Sequence, residues 1–169
     1  MLGQTAGFSQ KLTVNNVSLS SSTNNMGIWL VDFTVTPSSE RPRLAGISAH
    51  LELDESTVPL EARLWSRRHA GLDWLQEPSM PAFVRAGMHN TIDGELAHSM
   101  LNALQNATLR LAPLEKIGSI HPTQYRLQIQ SGYQSVQLDW SGALPPELYS
   151  LSEFVQILEA LGQQYATDD

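Results

Sequence analysis

The chain has 169 residues, of which 41% are hydrophobic and 16% charged, against roughly 25% charged in ordinary globular domains. That is enough apolar material for a packed core and too little charge for a self-repelling, disordered chain. A net charge of −7 argues against a phosphate backbone as the main partner. The lack of cysteine excludes a disulfide framework, a thiolate metal site and a cysteine nucleophile.

The opening residues, Met1-Leu2-Gly3-Gln4-Thr5, lack the basic start and apolar run of a signal peptide. The longest apolar run, Gly27-Ile28-Trp29-Leu30-Val31, is broken by Asp32 and has strand length. The expectation is a cytoplasmic protein with no membrane and no nucleic acid among its partners.

The first half alternates. Leu12-Thr13-Val14 resumes at Val17-Ser18-Leu19 after Asn15-Asn16, and Ser20 to Asn25 reads as a loop. Trp29, Val31, Phe33 and Val35 then fall on one strand face, with Asp32, Thr34 and Thr36 opposite. Ile47, Ala49, Leu51 and Leu53 repeat the period, and Leu60, Ala62 and Leu64 follow after a hairpin-like stretch from Asp54 to Pro59. These runs predict a four-strand antiparallel meander over residues 1–80. Residues 66–90 lose the period and read as a long connection that joins the two parts.

The second part, residues 81–169, has another rhythm. Leu96, Met100, Leu101, Leu104 and Ala107 have helical spacing, with Asp93 or Thr91 as N-cap. Tyr125, Leu127 and Ile129 alternate with Arg126, Gln128 and Gln130; Ser131-Gly132 turns the chain; Val136, Leu138 and Trp140 alternate again. Ser150 with Glu153 has capping-box spacing ahead of a helix striped by Leu151, Phe154, Val155, Leu158 and Leu161, which Gly162 would end. The fold class is α+β: an antiparallel meander, then helix–β-hairpin–helix, with the helices on one sheet face. The two parts are two units or share one core.

No set of chemically active residues converges in the sequence. His50, Glu52 and Asp54 share a strand face because i, i+2 and i+4 point the same way; they could hold a metal, but a solvated face is the expectation. His98 reads as helix decoration and His121 as a loop residue. There is no G-x-S-x-G elbow, and no phosphate loop, since lysine occurs only at positions 11 and 116. The prediction is therefore no enzyme, no metal and no cofactor.

One cluster stands out. Arg67-Arg68-His69 lies between Trp65 and Trp74, and Arg and Trp dominate hot spots at protein interfaces. Two Arg beside aromatic rings could also stack on a base, but the acidic balance opposes that. The plain alternative is a strand end running into a solvated loop, with both Trp rings in the core. The segment Gly142 to Leu148, with Pro145-Pro146, is a second candidate surface or simply a stiff connection.

Residues 91–161 carry a family likeness. The predicted helix at Glu95–Ala107 leads through Leu111-Ala112-Pro113-Leu114 to the strand Gln124-Tyr125-Arg126-Leu127-Gln128-Ile129. The strand Ser135-Val136-Gln137-Leu138-Asp139-Trp140 and the turn Ala143-Leu144-Pro145-Pro146-Glu147-Leu148 then enter the final helix. This stretch resembles the emfourin family of small protein inhibitors of thermolysin-like metallopeptidases. It departs from the family where a Gly-rich strand should precede the first helix and Phe83-Val84-Arg85-Ala86-Gly87 stands instead. The first eighty residues have no counterpart there, so no inhibitory residue is carried over. The resemblance implies a non-enzymatic module that binds another protein. The expected function is stoichiometric protein binding, as a peptidase inhibitor or an immunity-type neutraliser. A structural subunit of a larger assembly and a small-ligand domain are the rivals.

Overall fold

Period-two patterning puts one face of every long strand into the core. The computed structural model describes residues 17–18, 27–38, 46–69, 89–109 and 123–167. It has the element order β1 (Val17–Ser18), β2 (Ile28–Thr36), β3 (Gly46–Asp54), β4 (Glu61–His69), β5 (Asn90–Thr91), α1 (Gly94–Gln105) and β6 (Thr108–Leu109). Strands β7 (Gln124–Ser131) and β8 (Gln134–Ser141), a 3-10 helix (Pro146–Leu151) and α2 (Ser152–Gln164) complete it. The class is α+β, as the alternation and helical stripes predict.

Strands β2, β3 and β4 form a meander, and the β7–β8 hairpin joins it on the far side of β2. The six-stranded antiparallel sheet runs β5-β4-β3-β2-β7-β8. Register fixes its two faces. Val31 lies opposite Leu51 and Ile129, Leu51 opposite Leu64, and Leu127 opposite Phe33 and Leu138. These residues make one apolar face, which α1 and α2 cover. A single core cluster takes in Trp29, Phe33 and Leu64 from the first half and Met100, Leu127 and Phe154 from the second. At its β8 end, Tyr125 stacks on Trp140 with centroids 5.2 Å apart, and Phe33 lies 6.3 Å beyond.

The helices form for local reasons. The Asp93 carboxylate accepts from the backbone N–H of Glu95 at 2.9 Å and of Leu96 at 3.4 Å, which satisfies two orphan donors of α1. Ala97, Met100, Leu101 and Leu104 follow at helical spacing and are buried. In α2 the buried stripe is Phe154, Val155, Leu158, Leu161 and Gly162.

Five expectations need correction. The described part of the predicted first strand does not join the large sheet: Val17–Ser18 pairs with Thr108–Leu109 in a separate two-stranded sheet. Alternation alone says nothing about which strand a short run pairs with. Strand β4 continues to His69 instead of yielding to a loop at 66, because its backbone ladder with β3 extends to Gly46. Helix α1 stops at Gln105, two residues early, and Asn106 turns back to bond the Asn102 carbonyl. Ser150 does not cap α2; its hydroxyl donates to the Thr108 carbonyl at 2.8 Å and accepts from the Thr108 N–H at 3.2 Å. Gly162 lies inside α2 and does not end it; it faces Ile47 and Ala49 on the sheet, where its Cα position leaves ordinary van der Waals room. Leu12-Thr13-Val14, Leu111 to Leu114 and Phe83 to Gly87 lie outside the described residues.

Candidate functional site

The sheet face opposite α1 and α2 collects most of the polar chemistry. Because β4 is extended, Trp65, Arg67 and His69 project to this face, and Arg68 projects to the other. The sequence cluster is thus divided between two sides. Trp65 and His69 are each only 3% exposed, so neither presents a surface to a docking partner in this conformation. The His69 Nε2 lies 2.9 Å from the Ser48 hydroxyl. Arg67 is half-buried, while Arg68 is exposed and donates to the Gln163 carbonyl at 3.3 Å. Trp74 lies outside the described residues.

Next to Trp65 in the ladder is His50, and next to His50 is Asp32. His50 is 5% exposed, so this part of the strand face is not the solvated row that alternation predicts. Its Nδ1 lies 2.6 Å from the Asp32 carboxylate. A carboxylate only accepts, so Nδ1 is the ring nitrogen that donates. Such a pair can orient an imidazole for proton transfer. The neighbouring hydroxyl, Ser48, bonds His69 instead. Glu52 sits 3.6 Å from Arg63, and Asp54 accepts from the Ser56 N–H at 3.0 Å in the turn. The three members of the His50, Glu52, Asp54 row therefore have separate partners. Among the described residues no three His, Asp or Glu side chains converge as metal ligands would.

The other half of this face is open. On β7 and β8 the side chains of Gln124, Arg126, Gln130, Ser135, Gln137, Asp139 and Ser141 are exposed. Arg126 Nε donates to Asp139 Oδ1 at 2.7 Å, and Gln137 donates to the other carboxylate oxygen at 2.8 Å. Burial pushes the Asp139 carboxyl up, but these hydrogen bonds and the Arg126 charge outweigh it and hold the group below its ordinary value. Among the described residues the two charges on this patch, Arg126 and Asp139, are therefore paired with each other. At the hairpin tip Gly132 adopts φ +56°, as a two-residue turn requires, and Tyr133 beside it is fully exposed.

The two edges of the sheet differ. Strand β4 is flanked by β5 and by a parallel bridge from Arg67 to Thr167, where the Arg68 N–H donates to the Thr167 carbonyl at 3.0 Å. Strand β8 has β7 on one side and, among the described residues, no strand on the other. The sequence signal missed here is a run of eight residues, Gln134 to Ser141, with no Pro or Lys to blunt an edge. Alternation marks it as a strand but not as a border.

No family model, no curated protein and no solved structure matches the chain.

Proposed function

We propose that the chain is a non-enzymatic module that binds another protein stoichiometrically, using the open half of its sheet face. The observation that carries this is the exposed β7–β8 surface, where uncharged hydrogen-bonding side chains surround one internally neutralised ion pair. Small-molecule sites are concave and mostly apolar, whereas a broad surface with a polar rim suits a protein partner. Tyr133, fully exposed at the tip, is of the residue type that anchors such contacts. The mechanism is steric occlusion of the partner and needs no cofactor. The emfourin resemblance of residues 91–161 favours a peptidase as the occluded partner.

This reading moves the interface away from Trp65, Arg67, Arg68 and His69, since the two aromatic rings among them are buried. The test is affinity capture from host lysate and secreted fraction with three baits: wild type, Tyr133→Ala/Gln130→Ala, and Arg67→Ala/Arg68→Ala. One stoichiometric protein is expected, its binding weakened about tenfold or more by the hairpin pair, as loss of an interface anchor does. Loss only with the arginine pair would return the interface to β4. Capture of no protein by a folded bait would overturn the reading.

A further inference from the structure

The open flank of β8 has a hydrogen-bonding period that can be read from its partner. In the hairpin, Ser131 faces Gln134 across a two-residue turn, which makes them a hydrogen-bonded pair. The Gly142 N–H donates to the Thr123 carbonyl at 2.8 Å, eight residues along the ladder and so in the same phase. Even-numbered residues of β8 therefore turn their N–H and C=O toward β7. Those of Ser135, Gln137, Asp139 and Ser141 point outward. Their side chains are exposed, as they would be on an open border.

We propose that this border pairs with the same border of a second copy of the chain, antiparallel, about a two-fold axis at Leu138. Register decides it. With Leu138 opposite Leu138, Val136 meets Trp140 on the core side and Gln137 meets Asp139 on the open face. All four outward-pointing residues then bond, giving about eight backbone hydrogen bonds. Shifting the axis to Asp139 sets two carboxylates opposite each other. Shifting it to Gln137 pulls Ser141 past Ser135 and loses the terminal bonds. Val136 and Leu138 are only partly buried against the core, so their outer flanks gain apolar cover. The copies each carry −7, but at this border the single charge, Asp139, is already paired with Arg126. The opposite edge offers no equivalent, since β5 and Thr167 occupy it. Pairing at β8 joins the two six-stranded sheets into one and sets two open faces side by side.

The absence of cysteine makes the register directly measurable. Leu138 faces itself as a non-hydrogen-bonded pair, with Cα atoms about 4.5 Å apart, inside the disulfide range. Leu138→Cys should cross-link to a covalent dimer under mild oxidation. Gln137→Cys should not, since its copies lie about 8 Å apart along the diagonal, beyond disulfide reach. Sedimentation velocity provides the second readout. Gln137→Pro removes an outward N–H and leaves the β7 ladder intact, so it should fold and weaken self-association roughly tenfold or more. Cross-linking at Gln137→Cys instead of Leu138→Cys would overturn the register. A wild type that stays monomeric at hundreds of micromolar, or a dimer indifferent to Gln137→Pro, would overturn the pairing. Capture of another protein is read separately with Tyr133→Ala/Gln130→Ala, so failure of the pairing and failure of the binding function give different results.

Discussion

Gly27 shows how one residue can carry a turn. It adopts φ +60°, a left-handed conformation that side chains other than glycine rarely take. A Cβ there would lie 2.8 Å from Glu55 Cγ and 3.0 Å from the Ser56 backbone nitrogen. The Gly27 carbonyl accepts from the Glu55 N–H at 2.7 Å, so the start of β2 and the β3–β4 turn are tied together. Glu55 passes the constraint on: its carboxylate receives the Trp29 indole N–H at 3.4 Å and the Gln105 amide at 3.0 Å. Gly27→Ala should therefore destabilise the fold by about 1–3 kcal/mol, from backbone strain and the displaced turn. Urea titration checks it: the midpoint should fall with the slope unchanged, and an unmoved midpoint would mean the turn relaxes freely.

Among the elements, the β7–β8 hairpin holds its outer strand by cross-strand pairs. On the core side these are apolar and aromatic, and Tyr125, stacked on Trp140, has its hydroxyl pushed up by burial and then by the Glu159 carboxylate. On the open side the pair is Arg126 with Asp139, each more than half exposed, so solvent screens it. The Asp139 carboxyl is held low in the folded protein. Its contribution is thus fully present above the unfolded value of about 3.9 and disappears as pH falls through the folded one. Asp139→Asn should lower stability at pH 7 by no more than about 1 kcal/mol, and the gap to wild type should close in acid, as pH falls through the lowered folded value. Urea midpoints of the two proteins at neutral and acid pH would show this; a gap that persists in acid would assign the effect to packing.

For the whole molecule, the governing fact is that β7 pairs with β2. Leu127 is fully buried between Phe33 and Leu138, at the point where the two halves of the chain meet. Ser66 on β4 donates to the Gly162 carbonyl of α2 at 2.5 Å, a second buried tie across the same divide. The sequence changes rhythm over residues 66–90, yet Leu64 before that stretch and Ile92 after it belong to one core cluster. Leu127→Ala should cost about 2–5 kcal/mol and shift one cooperative transition, seen alike by far-UV circular dichroism and tryptophan fluorescence. Two transitions, with only one displaced, would mean the halves fold separately.

The sequence by itself determined the long strands, their buried faces, the Asp93 cap and both helical stripes. Each is a local property: period two or 3.6, and a carboxylate one step ahead of a helix, are written in consecutive residues. It also marked Trp65, Arg67, Arg68 and His69 as unusual, but not that extension of β4 would divide them between two faces and bury both rings. The burial of His50 against Asp32, the pairing of Val17–Ser18 with β6 and the use of Ser150 as a tether all join residues distant in the chain. Tertiary structure alone decided which strand became the border. Any alternating segment can lie inside a sheet or at its edge, and only the order β5-β4-β3-β2-β7-β8 places β8 last, with no strand beyond it among the described residues.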